Sequence, residues 1–123
     1  MTAFLFVAVG GALGATARYA TGLWAARLLG KGFPWGTLIV NVAGSFLMGV
    51  LIVLMAHVSA NRFAPLVLTG LLGGFTTFSA FSLDAVTLYE RGQVGLAAVY
   101  VLGSVLTSLA ALMAGLAAAR SLT

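Results

Sequence analysis

The chain holds no cysteine, which excludes a disulfide, a thiolate metal site and a thiol nucleophile. Charge is nearly as scarce: 7% of the 123 residues carry it, and only two, Asp84 and Glu90, are acidic. A soluble domain carries about 25% charged residues. With 62% of its residues hydrophobic, this chain has too little polar surface to cover a water-exposed globule and reads as an integral membrane protein. The shortage of carboxylates excludes more. A four-helix, proton-coupled exporter of cationic drugs needs a carboxylate deep in the bilayer, and neither acidic residue lies near the middle of a span. A small dual-topology multidrug exporter is therefore the disfavoured alternative, and an anion pathway is left open. The six Lys and Arg residues are scattered, forming neither a stripe nor a polybasic tail, so no nucleic-acid partner is expected. Proline is limited to Pro34 and Pro65, each just before or at the start of a span, where a missing N–H costs little.

A helix needs about 20 apolar residues to cross the hydrocarbon core. Four stretches qualify, roughly 3–23, 36–57, 65–88 and 94–118. The first has no basic n-region and is followed by more membrane protein, so it reads as a span and not as a cleavable signal peptide. The connections WAARLLGKGFP, HVSANRF and YERGQ carry most of the charge. The expectation is an all-α, multi-pass protein of the cell (inner or plasma) membrane, one domain over 1–123 with four transmembrane helices and both termini on one side. Four such helices are too few to enclose much of a pathway, so an oligomer is expected, its close contacts supplied by the sixteen glycines and many alanines. Arg62 and Arg120 fall on one side with the amino terminus and His57; Arg27, Lys31 and Arg91 fall on the other, with Arg18 if it reaches out. So small a bias fits insertion in both orientations and an antiparallel pair, although a near-even count also arises by chance in a small protein.

Polar groups at bilayer depth are the candidate functional residues. Arg18, near the end of the first span, is either a snorkelling side chain or a fixed positive charge at the mouth of a wet vestibule. Asn41 and Ser45 lie one turn apart on the second span, and an amide there must meet a neighbouring helix or a permeating ion. Tyr100, Ser104 and Ser108 recur at i, i+4 and i+8 on the fourth, a hydroxyl stripe rising about 12 Å. The third span is the strangest. Its GGFTTFSAFS segment places two glycines, two threonines and a Phe-Ser-Ala-Phe step where a helix would be expected. Gly73 and Gly74 can open the helix, with Thr76 and Thr77 stabilising the opening, and irregular backbone at that depth is tolerated only where protein or a wet cavity covers it. Phe78 and Phe81 share one face of the resumed helix; they either pack a core or aim positive ring edges at an anion.

GGALGATARY, GTLIVNVAGSFLMG and GGFTTFSAFS, together with the Tyr100/Ser104/Ser108 stripe, resemble the signature segments of the Fluc (CrcB-type) fluoride channels over nearly the whole chain. The resemblance implies an antiparallel, dual-topology homodimer that passes fluoride down its gradient through two pores, with a third helix broken mid-membrane around one structural Na+. The main-chain oxygens of Gly73 and Thr76 would hold that ion, which does not permeate. Phe78 and Phe81 would face fluoride; Asn41, Thr77, Ser79, Tyr100, Ser104 and Ser108 would line its route, and Arg18 its vestibule. Two positions depart from the family pattern: Ala80 replaces the usual Thr between the rings, and Asp84 stands for a common Glu. An enzyme is the least supported class, because His57, at a span end, has no catalytic partner at useful spacing.

Overall fold

The computed structural model describes residues 1–57 and 61–123; residues 58–60 of the HVSANRF connection lie outside the described residues. Among the described residues all regular structure is helical. Helix α1 runs Thr2–Leu29 and α2 Trp35–His57. After a 3-10 turn at Asn61–Phe63, a π-helical run Pro65–Leu72 continues into the short α3, Gly73–Phe75. Helix α4 spans Ser79–Glu90 and α5 Val94–Leu122. Among the described residues, four stretches are long and apolar enough to cross a membrane: Thr2–Leu29, Trp35–His57, Pro65–Glu90 and Val94–Leu122. The protein is a multi-pass membrane protein.

The first and last helices outrun the apolar stretches read from sequence. Nothing before Gly30 breaks α1, so helix continues through the charged WAARLL segment and stops only where Gly30 adopts φ 82. Gly92, at φ 83, turns the chain between α4 and α5 in the same way. A side chain at either position would meet the left-handed region that L residues avoid.

Two seams of small residues set the packing. Along the first, α1 lies against the π-helical run and α3. Cβ atoms added at Gly10 and Gly14 would collide with the carbonyl oxygens of Leu66 and Leu71. The π-type geometry, in which Gly73 N–H reaches the Leu68 carbonyl as well as that of Gly70, accompanies the close approach of Gly70 to Gly10. Along the second, α2 packs on α5 through Gly49 and Gly115. Lipid tails offer no hydrophobic driving force for helix association, so backbone approach of this kind is what the bilayer leaves available. The outward faces are lined with exposed Leu, Val, Phe and Trp side chains, as a hydrocarbon surrounding requires.

Candidate functional site

The candidate site is built on the interval between α3 and α4. Gly73 and Gly74 are not where the chain leaves the helix: the cap residue Gly73 sits at φ −62, ψ −37, and α3 persists through Phe75. The departure comes at Thr76, whose φ −85 and ψ 160 are extended, and helix resumes at Ser79. Gly74 instead allows contact with α1, since a Cβ there would stand 2.8 Å from the Gly11 carbonyl oxygen.

Departure from helix strands backbone groups, and side chains from two other helices take some of them. Asn41 on α2 meets both peptide groups of Thr77: Thr77 N–H donates to Asn41 Oδ1 at 2.8 Å, and Asn41 Nδ2 donates to the Thr77 carbonyl at 2.9 Å. Arg18 on α1 donates from Nε to the Gly74 carbonyl at 3.1 Å. Thr77 Oγ1 accepts from Ala80 N–H at 3.1 Å, satisfying one of the free donors in the first turn of α4. Two consequences follow from the register. In a continuous helix the Gly73 carbonyl would accept from Thr77 N–H and the Thr76 carbonyl from Ala80 N–H. Both donors are committed elsewhere.

A cleft of about 460 Å³ opens beside this interval. Its walls bring together Asn41, Gly73, Thr76, Thr77, Phe78, Phe81, Ser104 and Ser108, with Gly44, Ser45 and Met48 beside them. Candidates from three separate spans therefore meet at one place. Ser104 is 5% exposed and its hydroxyl has no hydrogen-bond partner within the described residues. Phe78 and Phe81 lie with ring centroids 5.7 Å apart, and Phe78 is 78% exposed.

Three candidates fall outside that cleft. Arg18 lines a second cleft of about 260 Å³ with Thr37, Thr77 and Ala80, so Thr77 borders both. Ser79 is exposed, its Oγ 3.3 Å from Thr77 Oγ1. Tyr100 leaves the serine stripe for a cluster of its own. It is buried between Phe33 and Phe81, with centroid distances of 5.4 and 5.3 Å, and its hydroxyl donates to Asp84 Oδ2 at 3.2 Å. Thr37 Oγ1 donates to the same carboxylate oxygen at 2.7 Å. Thr37 and Gly44 were not singled out from sequence. Thr37 sits four residues before Asn41 and so on the same helical face, a signal available in principle. Gly44 makes room for Thr76, because a Cβ there would collide with the Thr76 methyl. A test of the Tyr100–Asp84 contact is Tyr100→Phe, which keeps the ring and deletes the donor. Asp84 retains Thr37, so we expect a loss of only about 1 kcal/mol in stability, read as a modest fall in unfolding temperature in detergent.

Fold and site together define a class: a small helical membrane protein in which polar groups from several spans surround an irregular backbone segment. Residues 5–116 match the family described as CrcB-like protein, Camphor Resistance (CrcB). The chain belongs to that family. It is 68% identical over 120 residues to a Cereibacter sphaeroides protein named fluoride-specific ion channel FluC, covering 98% of this chain and 96% of that one. Proteins of the same name from Paracoccus denitrificans and Agrobacterium fabrum are 58% and 57% identical, each alignment covering at least 94% of both chains.

Proposed function

We propose that this protein is a fluoride-selective passive channel of the cell membrane, which lets fluoride leave the cytoplasm down its gradient after HF has entered and dissociated. It is a channel and not an enzyme. The observation that carries the reading is the cleft holding Asn41, Phe78, Phe81, Ser104 and Ser108, in a chain whose relatives across nearly its full length bear the name of such a channel. Fluoride is small and strongly hydrated, so a pathway must offset its dehydration without trapping it. A series of neutral donors does this: hydroxyls, an amide and ring edges each bind weakly. A fixed cation at the narrowest point would hold the ion too long, and Arg18, set apart in its own cleft, fits better as an attractor that raises local anion concentration.

The working unit in this reading is an antiparallel homodimer of dual topology. Exposure of Phe78 and of Gly73 within one subunit supports it, since it leaves polar-lined surface beside the interval for a second copy to cover. The interval between α3 and α4 is then the mid-membrane break, tolerated because the partner and a wet pathway enclose it. A structural Na+ on the two-fold axis would be held by the Gly73 and Thr76 carbonyls of both subunits. The donor chemistry fits: both carbonyls have lost their helical N–H donors, and neutral oxygens suit a hard monovalent ion. When bound, the ion supplies a fixed charge that ties the two subunits together.

Liposomes containing the purified protein should leak fluoride and hardly any chloride; equal leakage of the two would reject selectivity. Replacing Na+ by a large organic cation throughout purification should weaken fluoride efflux, and undiminished efflux would remove the central ion from the reading.

A further inference from the structure

An asparagine in a bilayer with its amide turned to another span can serve an ion or the backbone. Here the backbone has a strong claim on it. Asn41 presents an acceptor to Thr77 N–H and a donor to the Thr77 carbonyl at 2.8 and 2.9 Å, the pairing a neighbouring β-strand would offer a single residue. The orientation of the amide follows from chemistry. Rotating it by half a turn would set Nδ2 against an N–H and Oδ1 against a C=O, losing both bonds and opposing like dipoles. Thr77 borders the ring cleft and the Arg18 cleft alike, so its placement fixes the spacing of both. The local contacts holding it there are those of its own hydroxyl, with Ala80 N–H and Ser79 Oγ, which leave both peptide groups of Thr77 to be met from outside the segment. A Thr peptide left unpaired at membrane depth returns to helix, where Thr77 N–H regains the Gly73 carbonyl and Ala80 N–H regains that of Thr76.

We propose that Asn41 is a positioning residue whose carboxamide holds the third span open by replacing the two helical hydrogen bonds of Thr77, thereby keeping the Gly73 carbonyl free to accept a cation, while the Thr77 hydroxyl held in place with it takes Ala80 N–H away from the Thr76 carbonyl. The statement about Thr77 rests on the hydrogen bonds alone; the statement about a cation also rests on the channel reading above. Asn41 Nδ2 carries a second hydrogen beyond the one given to Thr77, so the clamp leaves the residue one donor for an anion. Arg18 performs the smaller, parallel task at Gly74, whose carbonyl it takes through Nε.

Amide exchange and thermal unfolding of the full-length protein, in Na+ and in a large organic cation, test the proposal. Thr77 N–H should exchange as slowly as amides inside α4 although it lies outside any helix; rapid exchange in the unaltered protein overturns the clamp. Asn41→Ala should speed exchange at Thr77 by about tenfold or more. It should also abolish the rise in unfolding temperature that Na+ gives the unaltered protein, because a ligand stabilises only the state that binds it. A residue that merely greets the passing ion would lose fluoride flux and leave both readings intact, and that outcome overturns the proposal while the channel reading stands. If Na+ fails to stabilise even the unaltered protein, the central cation and its clause here fall together, and Thr77 exchange still decides the clamp. Asn41→Ser, whose hydroxyl replaces at most one of the two bonds, gives the same comparison should the alanine variant not fold.

Discussion

Gly115→Ala is expected to destabilise the protein by about 3 kcal/mol, the upper range for overpacking a tight interior, and to lower the yield of monodisperse protein sharply. The added methyl would enter the Phe46 carbonyl oxygen, with the Phe46 carbonyl carbon and Val50 nitrogen both 3.1 Å away. All three are main-chain atoms of α2. A clash with a side-chain tip is relieved by a rotamer change, but this one is relieved only by moving α2 and α5 apart. Gly49 is the reciprocal half of the contact, since a Cβ there would collide with the Leu112 carbonyl oxygen and stand 2.9 Å from Leu116 N. Gly49→Ala should therefore cost a similar amount. The double variant should cost clearly less than the sum, because helices already separated by one methyl have room for the second. Gly95→Ala is the matched control on the same helix: a Cβ there meets nothing within 4 Å, and removal of glycine's backbone freedom should leave stability unchanged or slightly raised. Denaturant or thermal unfolding in detergent separates these signs. Equal stability of the Gly95 and Gly115 variants would show that the α2–α5 seam is looser than drawn.

That seam illustrates how unevenly a membrane sequence discloses its structure. The four spans were legible because bilayer thickness sets a length that an apolar run either reaches or does not. Where the runs stopped was less legible, since hydropathy falls in WAARLL while helix does not, and only Gly30 ends it. Which glycines serve packing and which serve conformation was legible only in part. Gly73 and Gly74 drew attention as helix breakers, but the irregular backbone begins at Thr76. The pair lies in helical conformation, Gly74 close against α1, and the interruption is stabilised by Asn41 from a span more than thirty residues earlier. A contact between distant helices leaves no trace in local propensity.

The residues of the site were easier to name than to arrange. Asn41, the threonines, the rings and the two serines do gather in one cleft, as polar groups excluded from lipid must gather somewhere. Tyr100 shares the helical face of Ser104 and Ser108 by period, yet its longer side chain reaches Asp84 and a cage of Phe33 and Phe81. Periodicity assigns a face and says nothing of reach. Asp84 stood out in the sequence as one of two acidic residues and as a departure from a family pattern, not as a hydrogen-bond acceptor; its two donors, Thr37 and Tyr100, come from helices on either side of it in the chain.

Phe78→Ile is expected to reduce fluoride efflux from liposomes by about tenfold or more, which corresponds to about 1.4 kcal/mol in the rate-limiting barrier. Isoleucine keeps the apolar bulk but has no quadrupole, so the positive ring edge that could meet an anion without a full charge is lost. The site is suited to the test because Phe78 is 78% exposed within one subunit, and its replacement disturbs little of that subunit's own packing. Phe81→Ile should cut efflux similarly but is a less clean probe. The Phe81 ring also packs against Tyr100 at 5.3 Å, so losing it costs some stability as well. The comparison therefore has two axes. Both variants should lose flux, only Phe81→Ile should unfold measurably earlier, and both should elute at the same volume as the unaltered protein. If efflux depended on stability alone, Phe78→Ile would conduct normally. Normal flux in both variants would take the rings out of the pathway and leave the hydroxyls of Ser104 and Ser108, with the Asn41 amide, as the groups that replace fluoride's water.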